Sequence, residues 1–233
     1  DFEEQKYLPS LFRLIENEKS IHRVRISSFE PMKLADEIIE IIGNIKKICP
    51  HLHIPLQSGS DRILNLMRRT YTTKHYAKKI EKLRKFKPDI CLGTDIISGF
   101  PGETDEDHLQ TIEFIRSIEM NYIHSFPYSK RPATVAAAML SHVPDLIKHQ
   151  RCKEIRAVSE QNYSRYLDTQ IGMIREVIWE QSKIPGFYSG TTENYITVLL
   201  PTADTFISEP ISKVKVLHKK GDSLVVSTLD KKP

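Results

Sequence analysis

The stretch His51-Leu52-His53-Ile54-Pro55-Leu56-Gln57-Ser58-Gly59-Ser60 places polar side chains at alternate positions and then meets a Ser-Gly-Ser turn. Alternation along a strand sends every second side chain to one face, so His51, His53, Pro55 and Gln57 share a side. A polar face interrupted by proline fills a dry core poorly, and that face is expected to meet a ligand. The other reading is that Ser58 or Ser60 caps a helix beginning near Asp61. The decapeptide alone leaves both readings open.

The surrounding pattern alternates strands and helices. Strand candidates are His22–Ser28, His51–Gln57, Asp89–Ser98 and Tyr122–Tyr128, with amphipathic helices over Leu34–Ile48, Tyr76–Phe86 and Glu106–Ile118 and another, Leu8–Asn17, ahead of the first strand. Thr104 is the expected cap of the helix near 106, with Asp105, Glu106 and Asp107 in the first turn where the helix dipole favours negative charge. Four such units do not close an eight-stranded α/β barrel, so the sheet is expected to be an open arc or part of a larger one. The chain opens on Asp1-Phe2-Glu3-Glu4, without an initiator methionine, straight into a helix, as expected of a piece of a longer polypeptide.

Nothing in the text reads as a signal peptide or an apolar run of membrane-spanning length, which makes a cytoplasmic protein the expectation. Cys49, Cys91 and Cys152 lie far apart and none forms a CxxC or CxxxC pair, so neither a zinc knuckle nor an iron–sulfur loop is encoded, and no metal ligands are assigned. With 233 residues, 39% of them hydrophobic, the chain can hold one sizeable core and a small module. A net charge of +4, from 34 Lys and Arg against 30 Asp and Glu, permits an RNA partner without requiring one.

A change of texture falls near residue 170. Residues 1–143 carry the strand–helix alternation, 144–170 read as one long linking helix opened by Pro144, and 171–233 as short strands separated by Gly and Pro turns. Strands over Arg175–Glu180, Tyr195–Leu200, Ile211–His218 and Ser223–Ser227 suit a small antiparallel β-barrel. Trp179, Phe187, Tyr188, Tyr195 and Phe206 are either stacking surfaces for bases or core. Arg175, Lys183, Lys213, Lys215, Lys219 and Lys220 are candidate phosphate contacts.

Four stretches, in order, carry a resemblance: Arg25-Ile26-Ser27-Ser28-Phe29-Glu30-Pro31, then His51–Ser60, then Thr94-Asp95-Ile96-Ile97-Ser98-Gly99-Phe100-Pro101-Gly102-Glu103-Thr104, then Phe126-Pro127-Tyr128-Ser129-Lys130-Arg131-Pro132. Each sits at the C-terminal end of an expected strand, and together they resemble the radical S-adenosylmethionine methylthiotransferases over nearly the whole chain. The small β domain resembles the TRAM module with which that family holds RNA. Ser-Ser-Phe-Glu-Pro and Thr192-Glu193-Asn194-Tyr195-Ile196 look most like the branch acting on threonylcarbamoyladenosine in tRNA. Sibling branches act on isopentenyladenosine in tRNA or on a ribosomal-protein aspartate.

The resemblance implies an incomplete, TIM-like radical SAM barrel followed by a TRAM-like barrel. It also implies S-adenosylmethionine and two 4Fe-4S clusters as cofactors, tRNA as partner, and an electron donor such as a flavodoxin. In that family CxxxCxxC cysteines hold the radical-generating cluster and an N-terminal domain holds the second; neither set occurs here, so this chain by itself is expected to be inactive. Gln57, Ser58 and Ser60 would face the cofactor's ribose or carboxylate, and Gly99 would permit its adenine to approach while Ile97 or Phe100 covers a ring face. Glu30 and Arg131 would sit at the barrel mouth, Glu30 for an amine and Arg131 for a carboxylate or phosphate, or each in a structural salt bridge. Pro132-Ala133-Thr134 departs from the family's Pro-Gly-Thr, since alanine disfavours positive φ. Lys74, Lys78, Lys82 and Lys85 form a basic helical stripe, either one facing RNA or, the reading favoured, an outer solvated helix face. A non-catalytic RNA-binding module on the same scaffold is the other class of function this text allows.

Overall fold

In a computed structural model, residues 7–182, 184–204, 207 and 209–229 are described. They form two compact units divided between Asn162 and Tyr163. The first holds helices α1 (Tyr7–Asn17) and α2 (Asp36–Asn44), strand β1 (His51–His53), α3 (Asp61–Leu66), α4 (Thr73–Phe86), β2 (Cys91–Ser98), α5 (Asp105–Ser117), β3 (Tyr122–Pro127), α6 (Val135–Ala138) and most of α7 (Asp145–Asp168). The second holds the last turns of α7 and β4 (Ile174–Glu180), β5 (Phe187–Thr192), β6 (Thr197–Pro201), β7 (Ile211–Lys220) and β8 (Ser223–Thr228). The helix expected over 144–170 is α7, and the division between units falls inside it.

β1, β2 and β3 pair in parallel, in that order. Parallel strands need crossovers, and the helices between them put apolar faces on one side of the sheet. Leu52, Ile54, Leu92, Ile96 and Ile123 on that side are buried with Ile80, Leu83, Ile112 and Ile115 from α4 and α5. Thr104 caps α5 in a capping box with Asp107, as its sequence implies.

The segment His22–Ser28, expected as a strand, makes only one bridge, Val24 to Ile48. Val24 donates to Lys47 O (2.8 Å) and accepts from Cys49 N–H (2.9 Å), and Phe29 N–H reaches His53 O at 2.9 Å. Val24 and Ile26 are only partly buried, Ile26 against the edge of the core, and the stretch makes no continuous ladder. At the far side of the sheet, Ile123 N–H on β3 donates to Ser159 Oγ of α7 at 2.8 Å, and Asn162 Nδ2 donates to Met120 O at 2.9 Å.

The second unit is a closed barrel, β4-β5-β6-β8-β7. Its pairings are antiparallel, as the sequence implies, except that β6 pairs with β8 in parallel. β5 lies between two expected strands; its Ser-Gly-Thr-Thr text has too few apolar positions to announce a strand. Val177, Val198, Val214, Val216, Leu224 and Val226 fill the interior. The turn after β5 is anchored by Asn194, fully buried, whose Nδ2 donates to Tyr166 Oη (2.8 Å) and Gln170 Oε1 (3.0 Å) on α7 and the turn after it.

Candidate functional site

The parallel register fixes which side chains leave the core. His53 lies opposite Gly93, Gly93 opposite Tyr122, Asp95 opposite His124 and Ile97 opposite Phe126. One face of the sheet therefore carries His51, His53, Asp95, Ile97, Tyr122, His124 and Phe126, away from the helix-covered core. The alternation of His51, His53 and Gln57 seen in the sequence is real, and its face is the polar one.

Beyond β1 the chain rejoins β2 at Gln57, whose N–H donates to Asp95 O (2.8 Å) and whose carbonyl accepts from Ile97 N–H (2.9 Å). Gln57 holds this place at φ 71°, a left-handed conformation unusual for a side-chain-bearing residue and worth a cost of order 1 kcal/mol. Two backbone hydrogen bonds hold the strained residue in place.

At the C-terminal ends of the strands lies a cleft of about 470 Å³ lined by Gln57, Asp95, Ile97, Phe126, Tyr128 and Arg131, with Pro127, Ser129, Thr134 and Ala136. That volume falls within the roughly 300–1,000 Å³ of small-molecule sites. Its walls are apolar and aromatic, while an amide, a carboxylate and a guanidinium supply directional contacts. Arg131 is carried by a tight turn: Ala133 stands at φ 63°, and Thr134 Oγ1 donates to Arg131 O at 2.8 Å while accepting from Ala137 N–H at 3.2 Å to cap α6. Alanine thus occupies the left-handed position where the resembled family has glycine.

Of the residues singled out from the sequence, Gln57, Ile97 and Arg131 meet in this cleft. Ser58, Ser60, Gly99, Phe100 and Glu30 are not among its lining residues. Ser58 Oγ is buried, 3.4 Å from Thr111 Oγ1, and accepts from Ser60 N–H at 3.2 Å. Ser60 caps α3 and donates to Asp107 Oδ1 at 2.7 Å. Arg62 pairs with the same carboxylate. Burial pushes the Asp107 carboxyl up, but hydrogen bonds from Arg62, Thr104 and Ser60 together hold it well below the usual carboxylate range.

Gly99, at φ 74°, faces the stem of Lys148, which would collide with any Cβ there, so the close approach it permits is to this lysine. Phe100 is buried edge-on to Tyr128, 5.5 Å between ring centres, and so backs a cleft wall. Glu30 is exposed, 3.5 Å from Arg69, the salt-bridge alternative. Asp95, Phe126 and Tyr128 were not among the expected site residues. The available signal was Asp95 itself, a charged residue inside the apolar run Leu92–Ile97.

His51 is 2% exposed, and burial, with Arg25 and His53 nearby, pushes its imidazole down to about 4. It is therefore neutral at pH 7.

Cys49, Cys91 and Cys152 are each buried, and among the described residues no group of three or more His, Cys, Asp or Glu is placed to hold a metal ion. The described residues therefore do not fit an iron–sulfur cluster. The cleft, by contrast, joins aromatic walls to the polar groups of Gln57, Asp95 and Arg131, the make-up of a small-molecule site.

On the second unit, Arg175 is buried, with its guanidinium 2.5 Å from Gln170 Oε1 and 3.3 Å from Glu193. An arginine so enclosed supports the barrel instead of offering its fork to a phosphate. Lys213 and Lys215 are exposed on β7, the first opposite Glu176 and the second opposite Ile174. Lys219 pairs with Asp168 at 2.7 Å, and Lys220 Nζ sits over the Phe187 ring at 4.1 Å. Trp179 Nε1 donates to Ser212 Oγ at 2.7 Å, and Tyr195 is 43% exposed. Lys183 and Phe206 lie outside the described residues.

Comparison with known proteins follows the same lines. Residues 3–115 match the radical SAM superfamily. The chain is 36% identical over 221 residues to the threonylcarbamoyladenosine tRNA methylthiotransferase MtaB of Bacillus subtilis, covering 93% of this chain and 49% of that protein. It is 34% identical over 224 residues to the tRNA-2-methylthio-N(6)-dimethylallyladenosine synthase of Aquifex aeolicus, covering 96% of this chain and 50% of that protein. The chain thus spans about half the length of the curated relatives it matches. Among solved structures, coproporphyrinogen III oxidase of Escherichia coli, a radical SAM enzyme, shares the fold at a TM-score of 0.55 and 15% identity, over 68% of this chain and 37% of that one. The chain is therefore similar to the radical SAM superfamily over residues 3–115 and, along most of its own length, to tRNA methylthiotransferases.

Proposed function

We propose that this chain is part of a radical SAM enzyme that adds a methylthio group at C2 of N6-threonylcarbamoyladenosine next to the anticodon of tRNA. The observation that carries this reading is the cleft at the C-terminal strand ends, where Gln57, Asp95 and Arg131 converge in a chain similar to the radical SAM superfamily. The similarity to MtaB supports the choice of modified adenosine.

In this reading Gln57 and Asp95 hold the polar edge of S-adenosylmethionine, Arg131 takes a carboxylate by a forked contact, and Tyr128 and Ile97 flank its base. Bound S-adenosylmethionine supplies, on reductive cleavage, the radical chemistry that side chains lack. The protein's part is to orient the ligand and exclude water, with Phe100 backing Tyr128. Cluster ligation, and with it turnover, is assigned to cysteines outside this sequence, and the reducing electron to a donor such as a flavodoxin. The C-terminal barrel grips tRNA through exposed lysines, Lys213 and Lys215 among them.

Nucleoside analysis of tRNA tests the assignment. Deleting the gene that encodes this chain should abolish 2-methylthio-N6-threonylcarbamoyladenosine and leave its unthiolated precursor. Loss of the methylthiolated isopentenyl nucleoside instead would assign the chain to the sibling branch, which the dimethylallyladenosine synthases among its relatives represent. An unchanged nucleoside profile would favour a non-catalytic RNA-binding role.

A further inference from the structure

A chain of hydrogen bonds runs along the polar face of the sheet to the cleft. Asp95 Oδ1 lies 3.1 Å from His53 Nε2, His53 Nδ1 lies 3.3 Å from Tyr122 Oη, and Tyr122 Oη lies 2.9 Å from His51 Nε2. The His51 and Tyr122 rings are parallel within 2°, and His53 stacks on His124 at 5.6 Å between centres. Tyr122 reaches both histidines because Gly93 lies between them: any Cβ at Gly93 would fall inside the Tyr122 ring. The arrangement occupies three strands and depends on a glycine to exist.

Hydrogen-bond capacity restricts its states. A carboxylate only accepts, so the His53 nitrogen facing Asp95 carries a proton. With its proton on Nε2, a neutral His53 accepts the Tyr122 hydroxyl proton at Nδ1, and Tyr122 Oη in turn accepts from His51 Nε2–H. Asp95 thus receives a hydrogen bond from His53, which ties the orientation of the carboxylate to the His53–Tyr122 contact.

We propose that Asp95 is the acceptor for a hydroxyl or amino group of the nucleoside ligand in the cleft, and that Tyr122, acting through His53, is the residue that positions it. The proposal rests on the reading of this cleft as an adenosyl site. The ligand class follows from the lining: aromatic walls for a base, and a carboxylate, its side chain 27% exposed, with acceptor capacity beyond the His53 contact.

The test measures binding of S-adenosylhomocysteine to the 233-residue chain by calorimetry, for wild type, Asp95→Asn, Tyr122→Phe and the double variant. Asp95→Asn should raise Kd about tenfold, the loss of one charged hydrogen bond. Tyr122→Phe keeps the ring over Gly93 and should raise Kd severalfold with the fold retained. The double variant should bind no more weakly than Asp95→Asn alone, since Tyr122 acts only through that carboxylate. Histidine ¹⁵N spectra provide a readout that packing alone would not move: Tyr122→Phe should change the tautomer signals of His51 and His53. Wild-type binding matched by both single variants would overturn the proposal and leave the cleft's adenosyl role intact. No binding by the wild type would overturn both. Should Tyr122→Phe lower the thermal midpoint, His53→Gln provides the same comparison, and additive losses with Asp95→Asn would overturn the positioning role.

Discussion

Acidification tests the burial of His51. In the folded chain this imidazole titrates near 4, against about 6.5 when free. A group that prefers to stay neutral in the fold leaves the unfolded chain binding more protons, so stability falls with pH. The loss begins near pH 6.5, runs down to about pH 4 and levels off there. At about 1.4 kcal/mol per pH unit, that interval is worth about 3 kcal/mol. His51 is 2% exposed, so solvent screening removes little of this. His51→Gln keeps an amide toward Tyr122 Oη and cannot be charged at that position. Urea unfolding followed by far-ultraviolet circular dichroism at several pH values between 7 and 4 should show the wild type losing about 3 kcal/mol more than His51→Gln over that range. Because the molecule has two units, the comparison uses the transition that Tyr122-region amide exchange assigns to the first unit. Parallel curves for wild type and variant, or a His51 resonance titrating near 6.5, would refute the reasoning.

Other outcomes follow from single contacts. Ala133→Gly relieves a left-handed alanine worth about 1–2 kcal/mol and adds unfolded-state freedom worth about 0.4–1, so a net gain of about 0.5 kcal/mol is expected in urea midpoints. Ser60→Ala removes the cap of α3 and the hydroxyl facing Asp107, and should cost about 1–3 kcal/mol by the same assay. Gly93→Ala should displace Tyr122 from His51 and His53, visible as lost ring-current shifts on both imidazoles, at a cost of about 1–3 kcal/mol. Replacing Lys213 and Lys215 with alanine should weaken tRNA binding across sequences and flatten its logarithmic salt dependence by roughly 0.7–0.9 per lost phosphate contact.

The sequence made the α/β order of the first unit legible where local signals agreed. Thr104 with Asp107 announced the start of α5, and the apolar runs at Leu52–Leu56 and Leu92–Ile97 marked the sheet. It misled where a partner decides the outcome. His22–Ser28 has strand-like alternation, but pairing is a property of two segments, and only Val24 finds a rung. The Ser-Gly-Ser turn was open to two readings because capping and ligand contact use the same hydroxyls; Thr111 and Asp107, roughly fifty residues on, claim them. Gly99 carried a real signal for close approach, yet its neighbour, Lys148 on α7, is invisible to local text. Asp95 enters the cleft through register alone, which no single strand encodes.

The hydroxyl of Ser159 has a consequence for how β3 behaves among other chains. The outer edge of a parallel sheet presents unpaired amides, a template on which a foreign strand can grow. At Ile123 that rung is taken by Ser159, and at the other end of the strand Pro127 has no amide to offer. An approaching strand would thus find its register interrupted at both ends of β3. The edge is guarded against aggregation by one hydroxyl and one imino acid, and Ser159→Ala would remove the first of these safeguards while leaving every rung between β2 and β3 in place.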